Sequence, residues 1–166
     1  MNIKRGYINP TKGKLSFSQT IKEVAHFIQE APEEYYRLVI GTDSQDKSSN
    51  GEKKLDFVTA IVVHRSGKGG RYFWQKNKKD KIQTLRDKIY AETLISIETA
   101  KVVVPQLKTT LNGNGKYELE IHIDVGEAGP TREMIKEITG IVRGNGFTPK
   151  TKPEAYGASS VADKHT

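Results

Sequence analysis

An α/β fold, a single mixed sheet with helices on its faces, is predicted by three features of this 166-residue chain. Three apolar strand-like runs come first, at 36–43, 54–65 and 71–76. The turn between the last two, "SGKGG" (66–70), is short enough to make them a hairpin. After them helical and strand patterns alternate to the end. Strands joined by tight turns pair antiparallel and strands separated by helices return parallel, so this order builds one sheet of both kinds.

The first residues read as a loop, and "SFSQTIKEVAHFIQEAP" (16–32) reads as a helix. Ser16 or Ser18 can cap it, Ile21, Val24, Ala25 and Ile28 line one face, and Pro32 marks its end. "YRLVIGTD" (36–43) is the first strand. "KLDFVTAIVVHR" (54–65) is apolar on both faces from Phe57 to Val63, which places it well inside a sheet. "RYFWQK" (71–76) is the third strand, and "IQTLRDKIYAETLISIETAKVVVPQL" (82–107) is a long helix expected to end near Pro105.

"YELEIHIDV" (117–125) alternates most cleanly, with Leu119, Ile121, Ile123 and Val125 on one side and Glu120, His122 and Asp124 on the other. "GEAGPTREMIKEITGIVRGNG" (126–146) is a helix with Pro130 in its first turn, a stripe of Met134, Ile135, Ile138, Ile141 and Val142, and a stop at Asn145-Gly146. "FTPKTK" (147–152) is a short strand that its prolines confine to an edge. "GASSVADKHT" (157–166) closes the chain as a short helix capped by Ser159 or Ser160. The sheet so read has five strands, three antiparallel and then parallel ones. The whole of 1–166 is read as a single domain, with 1–35 an N-terminal extension carrying an extra helix.

The chain has no cysteine, which excludes disulfides and thiolate zinc sites. Its four histidines lack a paired metal spacing. No apolar run reaches the length of a membrane span and the N-terminus lacks a signal-peptide core, so a cytoplasmic protein with no membrane partner is expected. The formal charge of +7 suits a polyanionic partner, since lysine and arginine contacts to phosphate release counterions; a merely soluble basic surface is the other reading.

Two strands end in an acid, Asp43 in "GTDSQ" and Asp124 in "HIDVG". Either could be a turn former or a helix cap. In this fold, however, the first and fourth strands can be neighbours, and two such acids repel unless a proton or cation lies between them. On the long helix, at ~100° per residue, the stripe of Ile82, Leu85, Ile89, Ala100 and Val103 defines the buried side. Asp87 and Glu98 fall on the solvent side. Glu92 lies at the stripe's edge, beside the small Thr93 and Ser96, and is the helical acid expected to look inward; otherwise it is an edge glutamate with its head in water. Asp163 stands behind an Ala- and Ser-rich face near a helix C-terminus, where the dipole disfavours a carboxylate; a frayed tail is the alternative. Mg²⁺ and Mn²⁺ favour such hard oxygen ligands together with water and phosphate.

An acid on the first strand, then acids on the long helix, the fourth strand and the final helix, resembles the ribonuclease H-like superfamily. The stretches "IGTDSQ", "HIDVG", "GPTREMI" and "YGASSVADKHT" are similar, more particularly, to the YkuK-like family of bacterial proteins, over nearly the whole chain. The resemblance implies a ribonuclease H-like fold in which Asp43, Glu92, Asp124 and Asp163 correspond to the superfamily's metal-binding carboxylates. Ser44 directly follows the first acid, where ribonuclease H itself has Asp-Gly-Ser, and no histidine loop precedes the last helix.

The implied activity is a nuclease using two Mg²⁺ or Mn²⁺ ions, with Asp43 bridging both, Asp124 and Glu92 on one and Asp163 on the other. Arg132, Lys152, Lys164 and the backbone amides opening the 130–143 helix are candidate contacts to RNA, DNA or hybrid phosphates. His122 shares a face with Asp124 and either tunes the site or is an exposed strand histidine. The alternative function is a nucleic-acid binder that keeps the fold without turnover. A sugar- or acyl-phosphate kinase-like ATPase is a weaker third reading, since such enzymes need two domains of this fold.

Overall fold

The computed structural model describes residues 2–47, 50–51, 54–80, 82, 84–155 and 161, with residues 79 and 80 described by backbone alone. Strands β1 (Tyr7–Asn9) and β2 (Gly13–Leu15) open the chain, followed by helix α1 (Phe17–Gln29). Then come β3 (Tyr36–Asp46), β4 (Lys54–Arg65) and β5 (Gly70–Asp80), and the long helix α2 (Leu85–Leu111). Strand β6 (Glu118–His122), helix α3 (Ile135–Gly144) and β7 (Thr148–Lys150) complete the regular elements among the described residues.

One sheet holds all the strands, in the order β2-β1-β5-β4-β3-β6-β7. It has seven strands, two more than the sequence analysis expects. The additions are β1 and β2, a hairpin in the stretch expected to be a loop. Strands of three residues are too short to show alternation. Their turn is held by Asn9, whose Oδ1 accepts from the Thr11 and Lys12 amides at 2.9 Å each, while its Nδ2 donates to Tyr72 O on β5 at 3.0 Å.

The centre of the sheet follows the expected plan. β3 pairs antiparallel with β4 from Tyr36↔Arg65 to Asp46↔Leu55, and parallel with β6 from Arg37↔Glu118 to Gly41↔His122. β5 continues antiparallel from β4, and β7 lies parallel to β6 at the edge, where Pro149 is tolerated. β3 therefore outruns β6 by several residues on the side where Asp43 lies.

Helix α1 begins in a capping box: Ser16 Oγ accepts from the Gln19 amide at 3.0 Å, and Gln19 Oε1 accepts from the Ser16 amide at 2.7 Å. It ends at Gln29, ahead of Pro32. Helix α2 starts at Thr84, whose side chain caps the Asp87 amide, and runs through Pro105 to Leu111. The expected stop at Pro105 is thus overridden. Its ring lies on the exposed side, while Leu107 and Leu111 beyond it are buried and draw the last turns onto the core. At the other end Ile82 precedes the helix and Leu85 is exposed, so neither belongs to the buried stripe. Pro130 likewise does not open a helix: a 3₁₀ turn at Arg132–Met134 leads into α3 at Ile135.

The main core joins Tyr36, Leu38 and Ile40 of β3, Ile61 and Val63 of β4, and Ile121 of β6 to the apolar sides of α1, α2 and α3. These helices share one face of the sheet. On the other, Val161 is buried against Ala60 and packs with Val62, Tyr72 and Trp74. Helices on both faces were expected; the expected 157–166 helix lies outside the described residues apart from Val161.

Candidate site at the end of the central strands

Strand alternation sends Thr42 and Ser44 towards α2 and Asp43 to the opposite face. The first two make that contact directly. Ser96 Oγ donates to Thr42 Oγ1 at 2.9 Å, and Ser44 Oγ donates to Glu92 Oε1 at 2.8 Å. Asp43 is only 7% exposed, and its Oδ1 accepts from the Ser44 amide at 2.9 Å. One serine therefore grips two acids, by its backbone and by its hydroxyl.

Glu92 is 3% exposed, whereas Asp87 and Glu98 are exposed, as the helical wheel requires. Burial pushes the Glu92 carboxyl up to about 8. The hydrogen bond from Ser44 opposes that rise, and the negative charges of Asp43 and Asp124 add to it. The three acids thus feel one another although they come from three separate elements.

Asp124 lies two residues past the end of β6. Beyond the paired strands the chain stays beside the β7 segment, through Ile123 N to Lys150 O at 2.9 Å and Lys152 N to Val125 O at 2.8 Å. This places Lys152 Nζ 2.6 Å from Asp124 Oδ1. The ion pair raises the Lys152 ammonium above its ordinary range, with Asp43 and Glu92 adding to the effect. Lys152, one of the residues expected to contact phosphate, stands here as the ion-pair partner of Asp124.

His122 is buried at 4% exposure, against the alternative of an exposed strand histidine. Its Nε2 lies 3.0 Å from Glu120 Oε2, and Glu120 Oε1 is 3.1 Å from Arg37 Nε on β3. Burial lowers its affinity for a proton, partly offset by Glu120. Arg132 is exposed on its 3₁₀ turn. Asp163 and Lys164 lie outside the described residues. Val161 packs on Ala60, two residues along β4 from Val58, the cross-strand partner of Asp43.

A family model described as Ribonuclease H-like matches residues 19–166. The chain belongs to the ribonuclease H-like family. It is also 32% identical over 169 residues to the Bacillus subtilis (strain 168) protein named "Uncharacterized protein YkuK", with 96% of each chain covered, so its place is among the YkuK-like members. No solved structure matches. The family match begins inside α1, so most of that helix falls within the ribonuclease H-like region.

Divalent ions in such proteins need hard oxygen donors, and the carboxylates of Asp43, Glu92 and Asp124 supply that chemistry. Burial does most to raise the Glu92 carboxyl, and the charges of Asp43 and Asp124 add to it, so a cation beside these acids would favour the ionised form. As they stand, no three acid or histidine groups among the described residues are close enough together to hold one ion. Asp124 is engaged by Lys152 instead.

Sequence reasoning missed Ser44 as a partner of Glu92. The available signal was the Asp-Ser pair itself, since adjacent strand residues face opposite sides and a serine beside a buried acid faces the helix.

Proposed function

We propose that this protein is a divalent-metal-dependent nuclease that hydrolyses phosphodiester bonds at the Asp43, Glu92 and Asp124 cluster, with Asp163 as a fourth carboxylate. The observation that carries the reading is the buried Glu92, pushed up to about 8 by burial with contributions from Asp43 and Asp124. An acid arrangement of this kind is strained alone and relieved by a cation. Membership of the ribonuclease H-like family supports nucleic acid as the substrate class, and the charge of +7 supports a polyanion.

Asp43, Glu92, Asp124 and Asp163 would hold two Mg²⁺ or Mn²⁺ ions, which when bound supply an activated water and stabilise the leaving oxygen. Ser44 orients both Asp43 and Glu92 and keeps the Glu92 Oε1 lone pair directed. Burial holds the Glu92 carboxyl well above its ordinary range, so binding a cation there would be coupled to release of a proton. Arg132, Lys152 and Lys164 neutralise substrate phosphates. Buried His122, held to Glu120, which pairs with Arg37, braces the strand that leads to Asp124.

A second reading, a nucleic-acid binder without turnover, is favoured by one observation: the Lys152–Asp124 ion pair already neutralises one of the acids. The two readings separate in one assay. Labelled single-stranded, duplex, hybrid and branched substrates are incubated with Mg²⁺ or Mn²⁺, alongside Asp43→Asn. The nuclease cleaves at least one of them, needs the metal, and loses cleavage in the variant. The binder retains substrate in EDTA with the salt dependence of phosphate contacts and cleaves nothing.

A further inference from the structure

We propose that Lys76 and Lys78 of β5 form a phosphate-holding track that anchors a nucleic-acid strand on the sheet face carrying Asp43. This rests on the nucleic-acid reading above and adds to it a binding surface that needs no metal ion. The basic stretch "KNKKD" (76–80) belongs to β5, which runs through Asp80. Side chains along a strand alternate between the faces of its sheet. Gln75 and Asn77 turn inward, at 3% and 9% exposure. Gln75 Nε2 donates to Gly6 O at 2.8 Å, and Asn77 Nδ2 donates to Gln75 Oε1 at 3.1 Å. Lys76 and Lys78 therefore lie on the other face, Lys76 half-buried and Lys78 exposed.

The strand register sets them beside Asp43. Lys76 stands opposite Val58 on β4, and Val58 stands opposite Asp43 on β3, so the three form one row across the sheet. Two strand spacings put Lys76 roughly 10 Å from Asp43 at the backbone. Lys78 begins the next row on that face, with Asp56 and Gln45, about 7 Å along β5. Two cations so spaced suit neighbouring phosphates of one extended strand.

Both ammonium groups are available to a ligand. Among the described residues neither has an ion-pair partner, Asp56 included, whereas Arg37, Arg65, Lys68, Arg86 and Lys152 each hold an acid. Past Trp74, where β1 pairs with it through Ile8, β5 has only β4 as a strand partner among the described residues. Arg5 steadies it there by donating from Nη2 to Lys76 O. A fixed strand bearing unpaired lysines loses little freedom on binding a polyanion. Its contacts would position a nucleic-acid backbone without reading bases.

Fluorescence anisotropy with dye-labelled single-stranded RNA and DNA oligonucleotides as separate arms, in EDTA and over a range of salt, tests this on the full chain. The parent is compared with Lys76→Gln/Lys78→Gln, Lys76→Arg/Lys78→Arg and Lys22→Gln/Lys108→Gln. The last pair is exposed on α1 and α2, across the sheet. The β5 glutamine variant should bind roughly 10-fold more weakly at about 0.1 M salt. Its slope of log K against log salt should be shallower by about 1.4, at ~0.7 per lost contact to a single strand. The arginine variant keeps both charges and should stay near the parent, as should the helix variant. Bound oligonucleotide should slow amine labelling of Lys76 and Lys78 in the parent, read by mass spectrometry, and leave Lys22 and Lys108 unchanged.

Parent-like affinity and slope in the β5 glutamine variant overturn the track and leave the nucleic-acid reading standing. Self-association of that variant with unweakened binding overturns it too, and assigns these lysines to guarding an exposed edge strand. Equal weakening by the helix variant also overturns it, since net charge would then explain the effect. Displacement of the oligonucleotide by polyglutamate at matched charge would make this a surface for acidic protein, against the proposal. Absence of binding by the parent, to RNA and to DNA, overturns both the track and the nucleic-acid reading.

Discussion

Glu92 holds the most informative chemistry in the molecule, because its raised carboxyl ties stability to pH in a direction opposite to most acids. The unfolded group titrates near 4.5 and the folded one near 8. Its stabilising contribution is therefore complete below about 4.5 and is lost as pH rises to about 8. Glu92→Gln keeps an acceptor for Ser44 and removes the titration. In EDTA the variant should gain on the parent by at least about 1 kcal/mol between pH 5 and 8, measured by urea unfolding. A gap that does not change with pH would contradict the assignment. In the cleavage assay, Glu92→Gln should lower activity by orders of magnitude, while Asp87→Asn and Glu98→Gln, both exposed, should leave it nearly intact. The wheel placed Glu92 at the edge of the buried stripe and left open an edge glutamate with its head in water; burial at 3% exposure decides for the inward reading. For Ser44 the Asp-Ser pair gave the face, but its choice of Glu92 as partner depends on where α2 lies over β3.

Among the elements, α2 shows how packing overrides a local signal. Pro105 removes a backbone donor in a helix interior, yet buried Leu107 and Leu111 carry the helix six residues further. Pro105→Ala should therefore stabilise the protein by about 1–3 kcal/mol in thermal or urea unfolding, since the position is exposed and the ring makes the helix costly there. The β1–β2 hairpin was illegible for a complementary reason: its three-residue strands carry no period, and Asn9 supplies the turn through hydrogen bonds that composition does not reveal. The packing of Val161 on Ala60, Val62, Tyr72 and Trp74 gives the last segment a testable role. Truncation after Gly157 should cost ~2–4 kcal/mol, the scale of a small buried apolar face. If Asp163 is a ligand, it should also abolish cleavage while nucleic-acid binding persists. A truncated protein that still cleaves would remove Asp163 from the site.

For the whole molecule, the order of the central strands decides what chemistry is available. β3 lies between β4 and β6, outruns β6, and so brings Asp43 beside the chain that carries Asp124. That neighbourhood was legible from the succession of hairpin and helical connections, which leaves few ways to build one sheet. The edges of the sheet were not legible, and neither was the Lys152–Asp124 pair, which arises only because the 150–152 segment runs parallel beyond β6. The acids of three elements then form one electrostatic unit inside a chain that is basic as a whole. In the proposed nuclease a divalent cation completes this unit, and thermal unfolding in EDTA and in rising Mn²⁺ tests that most directly. The parent's melting temperature should climb with Mn²⁺, because an ion bound only by the folded state stabilises it by mass action. Asp43→Asn should match or exceed the parent in EDTA and lose most of that climb. Identical shifts in parent and variant would contradict the claim and put the ion elsewhere.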